Sequence, residues 1–277
     1  MIAALRTELR KVATTRTWWL TTLVMFGYMA VIGLIMAFSL VMGARAAQEA
    51  GPGAGGGDLG GTAMLDPMAI ATSVYTLAVA LGYIFPAILG ALSVTGEFRH
   101  RTITPTLLAE PRRTVVLAAK LVAILPYALL LAIVGTVGTV AAGAATLAIM
   151  GEPTLLGDAA VWSTIARSVL ALVLWALVGV GFGAVLTNQV AAIVVLLAFT
   201  QFVEPLLRLL LAQFDATTGV SKFLPGAAGE SIAGSSLYVS SGLADLLPAW
   251  QGTLTLLGYA LVLVAIGRLT TFRRDIG

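Results

Sequence analysis

Hydrophobic residues form long continuous runs in this chain, separated by short polar segments. A helix needs about 20 apolar residues to cross ~30 Å of hydrocarbon, and the runs reach or exceed that length. Continuous runs also differ from the alternating ten-residue pattern of membrane β-barrels. The pattern therefore predicts six membrane-spanning helices, at residues 18–42, 69–95, 117–148, 165–186, 190–211 and 250–269.

The longest uncharged stretch runs from Ser168 to Val203. As one helix it would be about 54 Å long, too long for a single crossing. Its polar break at Thr187-Asn188-Gln189 predicts a tight turn between the fourth and fifth spans. Without that turn the chain has five spans, and its two ends lie on opposite sides of the membrane.

The segments outside the spans have distinct patterns. Residues 1–17 predict an amphipathic helix lying at the membrane surface, with Ile2, Leu5, Leu9 and Val12 on its apolar face. Its charged residues are placed on the other face: Arg6, Glu8, Arg10 and Lys11. A Gly-rich external loop is expected from Arg45 to Pro67, and a second external loop, at 212–249, is expected to contain short helices that dip into the bilayer.

Composition agrees with a single all-α polytopic membrane domain spanning residues 1–277. The chain is 59% hydrophobic and 10% charged, with a mean hydropathy of +0.99, whereas soluble domains carry about 25% charged residues. Absence of cysteine excludes disulfides and thiolate metal sites. The one histidine, His100, lies between Arg99 and Arg101, and two adjacent cations oppose metal binding.

Basic residues cluster before the first span, after the second and after the last. Loops rich in Lys and Arg remain in the cytoplasm, so six spans place all three clusters and both termini there. Five of the 16 Lys and Arg residues lie in or beside the segment after span two: Arg99, Arg101, Arg112, Arg113 and Lys120. Because the clusters flank apolar spans, they indicate membrane topology and no nucleic-acid partner.

The sequence lacks the residues that several kinds of chemistry require. None of the three lysines (Lys11, Lys120 and Lys222) follows a glycine, so the chain has no Gly-Lys-Ser/Thr phosphate-binding loop. No enzymatic activity and no bound cofactor or metal are expected. The string Gly179-Val180-Gly181-Phe182-Gly183 lies inside a span and indicates close helix packing. Glu204 and Arg208 are four residues apart and predict an intramembrane ion pair, with a structural role or a role in substrate binding.

The basic segment resembles the signature of permease subunits of ABC exporters of the type-2 permease family. The matching residues are Glu97, Arg99, Thr102, Leu107-Leu108, Pro111, Arg113 and Lys120, and Arg101 stands where members often have glycine. The opening segment Glu8-Leu9-Arg10-Lys11, followed by Thr17-Trp18, also looks like the first helix of that family. The motifs cover about forty residues.

This resemblance implies a bacterial plasma-membrane permease that works as a homodimer or as a heterodimer with a related chain. Two separate ATPase subunits would bind ATP and Mg²⁺ and dock on a coupling helix within residues 97–113. The residues expected to form that coupling site are Glu97, Arg99, Arg101, Thr102, Leu108, Pro111 and Arg113. The first helix would pack beside it at the membrane surface.

The same resemblance implies a pathway between the second and fifth spans at the dimer seam. Candidate residues on the second span are Thr72, Tyr75, Thr76 and Tyr83, and those on the fifth are Phe199, Thr200, Gln201 and Phe202. Ordinary interhelical packing explains each of them equally well. An apolar lining would suit a lipophilic or amphipathic drug, peptide or lipid-like substrate. The alternatives are a stand-alone channel or secondary carrier, and a membrane sensor or assembly subunit without transport.

Overall fold

The computed structural model describes residues 2–50, 66–211, 213, 218–235 and 245–273, and the described chain is helical without β-strands. The helices are α1 Ile2–Thr14, α2 Thr17–Ala50, α3 Pro67–Tyr75, α4 Leu77–Ala80, α5 Ile84–Arg99, α6 Ile103–Ala109, α7 Arg113–Ile149, α8 Ala159–Val185, α9 Gln189–Ala198, α10 Glu204–Leu211, α11 Thr218–Ser221, α12 Pro225–Ala233 and α13 Ala249–Leu269. A π-helical turn, Phe199–Val203, joins α9 to α10.

Among the described residues, five helical segments are long and apolar enough to cross a membrane. They are α2, α7, α8, the continuous segment from α9 to α10, and α13. Three of them leave most of their surface outside the bundle: 28% of the most apolar window of α2 is buried, and 22% of the windows of the α9–α10 segment and α13. The all-helical class and the presence of membrane-length helices are therefore confirmed.

Helix α8 forms the centre of the bundle and packs against α5, α7, α12 and α13. Glycines allow its backbone to approach its neighbours closely. A Cβ on Gly179 would lie 1.9 Å from the Ala87 carbonyl oxygen of α5, and one on Gly181 would lie 2.6 Å from Leu263 of α13. The small residues in the Gly-Val-Gly-Phe-Gly string thus serve helix packing, as predicted.

The segment predicted as one helical span at 69–95 is broken into three helices. Helix α3 ends at Thr76, whose hydroxyl hydrogen-bonds to the Thr72 carbonyl, and residues 81–83 form a turn before α5. Pro86 lies in the first turn of α5, where its missing N–H costs least. In an unbroken helix the residue at position 86 would donate its N–H to the Gly82 carbonyl, which proline cannot do. Proline at this position therefore favours a new helix start over a continuous one.

Helices α8 and α9, which correspond to the predicted fourth and fifth spans, are separated at the position where the turn was predicted. Helix α8 ends at Val185, and the Asn188 side chain accepts a hydrogen bond from the Ala191 N–H as the N-cap of α9. Between α9 and α10, the Glu204 N–H donates to the Phe199 carbonyl, five residues earlier. Pro205 has no N–H to donate to the next carbonyl, which explains why the hydrogen bonds change here from a spacing of four residues to a spacing of five, as in a π-turn.

The loop predicted to begin at Arg45 differs from the structure, whereas the predicted loop 212–249 contains a short helix as expected. The first long helix continues to Ala50, so Arg45 is helical and not the start of a loop. Its guanidinium binds the Met150 carbonyl and Glu152, 3.2 Å away. In the predicted loop 212–249, α12 is almost entirely buried and packs against α4, α8 and α13. The Gly-rich residues 51–65, together with 212, 214–217, 236–244 and 274–277, lie outside the described residues.

Contacts between distant segments bring the described basic clusters to one end of the bundle. Arg99 donates to the Gln189 side chain at 3.2 Å, and Thr271 donates to the Val185 carbonyl at 3.1 Å. The rings of Phe98 and Phe272 meet edge to face, 5.8 Å apart. Helix α1, the α5–α6 turn, the α8–α9 turn and residues 270–273 thus form one end, called here the basic end.

We predict that Gly179→Ala destabilises the α5–α8 contact by about 1–3 kcal/mol or more, since the new methyl must push two backbones apart. Thermal unfolding of the purified chain in nanodiscs measures the effect. Gly258→Ala in α13 is the matched control, because a Cβ there has no atom within 4 Å. Equal melting temperatures for the two variants would contradict the close packing.

Candidate functional site

Four charged side chains meet at the basic end and form what we call the inner ionic cluster: Glu8, Lys11, Glu97 and Lys120. They come from α1, α5 and α7, three elements distant in sequence. Lys120 is only 1% exposed, and both carboxylates are also buried. A cluster of this kind joins the surface helix α1 to the bundle.

Each of the two lysines of the inner ionic cluster contacts three oxygen atoms. Lys120 Nζ lies 2.8 Å from Glu8 Oε2, 2.8 Å from Glu97 Oε1 and 3.0 Å from the Ser93 carbonyl. Lys11 Nζ lies 2.7 Å from Glu8 Oε1, 2.5 Å from Glu97 Oε1 and 2.9 Å from the Thr106 hydroxyl. Each ammonium group therefore has three oxygen atoms within 3.0 Å, as many as it has donors.

Charge balance explains why this cluster can be buried. Two carboxylates and two ammonium groups are neutral together, whereas any one of them alone would carry a large desolvation cost. Burial disfavours the charged form of Lys11, but hydrogen bonds and attraction from Glu8 and Glu97 outweigh it and raise the pKa of its ammonium group. Lys11 therefore remains charged at neutral pH.

This geometry corrects the directions predicted for two residues. Glu8 was placed on the water-facing side of the first helix with Arg6 and Arg10, and Glu97 was expected to contact a soluble partner. Both carboxylates point inward, because Lys120 supplies a buried positive charge that must be paired. Arg6 and Arg10 are exposed. Glu97 therefore joins the end of α5 to α1 and α7 and does not lie on the exposed surface of the segment that follows.

The turn after α5 has the hydrogen bonds of a Schellman C-cap. Thr102 N–H binds the Glu97 carbonyl at 2.8 Å, and Arg101 N–H binds the Phe98 carbonyl at 3.3 Å. Arg101 adopts φ 56°, the left-handed conformation that such a cap requires at this position. A non-glycine residue there costs about 1 to 2 kcal/mol. The glycine common at this position in the resembled family thus corresponds to a backbone requirement that Arg101 also meets.

Beyond this turn, α6 presents an exposed surface, which we call the docking surface. Ile103 is the only buried residue of α6, and Leu108 is 78% exposed. The exposed residues are Arg99, His100, Arg101, Thr102, Thr104, Pro105, Leu108, Ala109, Pro111 and Arg112. Arg113 differs from the prediction: it is half-buried, and its guanidinium donates to the Phe272 carbonyl.

A second buried ionic group lies toward the other end of the bundle. Arg208 donates to Glu204 Oε1 at 2.6 Å, so the predicted pairing is present, and it also donates to Glu230 Oε2 at 2.9 Å. The Ala227 N–H binds Glu204 Oε1 at 3.1 Å. Sequence reasoning missed Glu230, because it lies in the segment predicted as a loop. We call Glu204, Arg208 and Glu230 the acidic triad.

The candidate pathway residues have different environments. Tyr83 and Gln201 meet at 2.8 Å, and with Thr200 they line a cavity of about 130 Å³ beside the acidic triad. The other three candidates on the broken segment do not line this cavity: Thr72, Tyr75 and Thr76. Tyr75 is fully buried and donates to the Thr154 carbonyl. Phe199 is partly buried, and Phe202 is exposed on the outer surface.

No protein-family model matches this chain, and no curated protein matches it either. Its function is therefore inferred from its own residues and their arrangement.

We predict that Lys120→Met lowers the stability of the chain by about 3–5 kcal/mol, because two buried carboxylates would share one lysine. Unfolding in nanodiscs, followed by circular dichroism, measures the loss. Adding Glu97→Gln should restore part of it by rebalancing the charge.

Lys222→Met is the matched control for Lys120→Met. Lys222 pairs with Asp245, whose side chain is 83% exposed, so its loss should cost about 1 kcal/mol or less. A Lys120→Met variant as stable as this control would refute the structural role of the inner ionic cluster.

Proposed function

We propose that this chain is the membrane-spanning permease subunit of an ATP-driven exporter in the bacterial plasma membrane. It would form the translocation pathway together with a second permease chain, identical or related. Two separate ATPase subunits would bind ATP and Mg²⁺ and dock on its basic end. The substrate would be lipophilic or amphipathic.

The observation that carries this proposal is the way α6 is held. Lys11 binds both Glu97 at the end of α5 and Thr106 in α6, and Lys120 of α7 binds the same Glu97 carboxylate. These contacts tie a short, otherwise exposed helix to three elements of the bundle. A partner that pushes on α6 would thus move α1, α5 and α7 together, as a coupling element must.

The exposed part of α6 also has the chemistry of a protein contact. Leu108 offers an exposed apolar side chain on α6, and Arg99, Arg101 and Arg112 are exposed in the segments that precede and follow this helix. Protein interfaces combine an apolar centre with a polar rim, and arginine is enriched in them. A surface of this kind fits a groove with an apolar floor and acidic edges.

We further propose six membrane crossings, with the broken segment from α3 to α5 as a discontinuous second span. Non-helical backbone at membrane depth is tolerated where protein covers it, and residues 77–79 and 83 are buried. Six crossings place the basic end in the cytoplasm, in agreement with the preference of Lys and Arg for that side.

Two other functions remain as alternatives. A stand-alone channel or secondary carrier would move its substrate without an ATPase, and a sensor or assembly subunit would move none. The docking surface favours the exporter, because neither a channel nor a carrier requires a braced helix of this kind on one face.

We predict that Leu108→Asp greatly weakens capture of the ATPase. The full chain is purified from its native membrane in nanodiscs, and bound ATPase is identified by a phosphate-binding-loop sequence and by ATP hydrolysis. Burying a carboxylate in an apolar contact should reduce capture by about tenfold or more. Ile149→Asp is the matched control, since Ile149 is 86% exposed at the other end of α7.

The exporter proposal fails if the wild-type chain captures no such ATPase. It also fails if the chain alone moves substrate into liposomes with only an ion gradient. If Leu108→Asp and Ile149→Asp capture equal amounts of ATPase, α6 is not the docking element.

We predict that cysteines introduced at Leu108 and Thr270 face the cytoplasm and that one at Ile149 faces outward. The chain has no native cysteine, so each variant carries one thiol. A membrane-impermeant maleimide should label Ile149→Cys in intact cells and the other two only after permeabilisation. Labelling of Thr270→Cys from outside would contradict an even number of crossings.

A further inference from the structure

The cavity beside the acidic triad is bounded by two interruptions of regular helix. On one side lies the turn at residues 81–83, and on the other the π-turn Phe199–Val203. Its polar lining residues are Tyr83, Thr200, Gln201, Glu204, Arg208 and Glu230. Irregular backbone that lines a cavity inside an apolar bundle is typical of ligand sites in membrane proteins.

Among the described residues that line this cavity, acidic side chains outnumber basic ones. Two carboxylates, Glu204 and Glu230, face one guanidinium, that of Arg208. Glu204 is 2% exposed, and its Oε1 accepts from both Arg208 and the Ala227 N–H. Its Oε2 has no hydrogen-bond partner among the described residues. A buried carboxylate oxygen without a donor is costly, and Glu204 retains an unused acceptor beside the cavity.

Neutral groups of the cavity also suit a cation. The Tyr83 ring stacks on Trp175, with centroids 4.4 Å apart, and its hydroxyl accepts from Gln201 Nε2. Aromatic rings attract ammonium groups, and the attraction is stronger where water is excluded. The volume of about 130 Å³ is close to that of engineered cavities that hold one benzene molecule. Ala80, Leu81, Gln201 and Pro205 are partly exposed, so the cavity has a mouth at the surface of the bundle.

We infer that this cavity binds the positively charged head of a small organic cation, such as a protonated amine, with Glu204 as its main counter-ion. An attached apolar tail would extend through the mouth along the outer surface of α10. Binding of the cation is independent of the proposed function. Its identification as the exported substrate rests on the proposed function.

The test uses the full chain in nanodiscs without any ATPase, so its outcome does not depend on docking. The probes are n-butylammonium and its uncharged isostere 1-butanol, observed by saturation-transfer NMR with empty nanodiscs subtracted. We expect a specific signal for n-butylammonium and none for 1-butanol. Equal signals for the two probes, or none for either, would overturn the inference.

Variants locate the site. Glu204→Gln keeps the shape but removes the charge, and should weaken n-butylammonium binding by about tenfold or more, as for loss of a charge-assisted contact. Because Glu204 also pairs with Arg208, that variant can unfold. Gln201→Lys avoids this problem, since Gln201 is partly exposed and lies outside the triad.

Gln201→Lys places a tethered ammonium in the cavity and should abolish n-butylammonium binding while the chain still folds and unfolds cooperatively. The matched control is Gln189→Lys, the same substitution at the basic end, which should bind as the wild type does. If Gln201→Lys binds n-butylammonium normally, the cavity is not the site. If the wild-type chain binds n-butylammonium but captures no ATPase, only the exporter proposal is contradicted.

Discussion

The requirement to neutralise one buried lysine organises the basic end of this protein. Lys120 lies inside a long apolar helix, where an unpaired ammonium would be very unfavourable. Glu8 and Glu97 supply the opposite charges. Since α1, α5 and α7 each contribute to the pairing, none of them can shift alone without exposing a buried charge. The surface helix is therefore part of the bundle.

Helix α5 connects the two charged regions of the molecule. It begins next to Tyr83, which lines the cavity beside the acidic triad, and carries Glu97 near its other end. Sixteen residues span about 24 Å. Close contact with α8 through glycines keeps α5 rigid along this length. In the proposed exporter, movement of α6 would thus be transmitted to the cavity by a single stiff element.

Several features were predictable because local chemistry alone determines them. Asn188 and its polar neighbours interrupt an apolar run too long for one crossing, and glycines spaced two apart indicated close packing. The pairing of Glu204 with Arg208 follows from a spacing of four residues. The helix breaks at Thr76 and residues 81–83 had weaker signals, Gly82 and Pro86, which hydropathy averaging conceals.

The amino-acid sequence determined the helical class, the membrane-length segments and the clustering of basic residues, because these depend on hydrophobic runs and on neighbours along the chain. Only the tertiary structure decided which way the charged side chains point. Glu8 and Glu97 are buried because a lysine from a third helix lies between them, and Glu230 joins Arg208 because α12 inserts against α8 and α13. Such pairings join residues separated by 22 to 112 positions, so no local pattern reveals them.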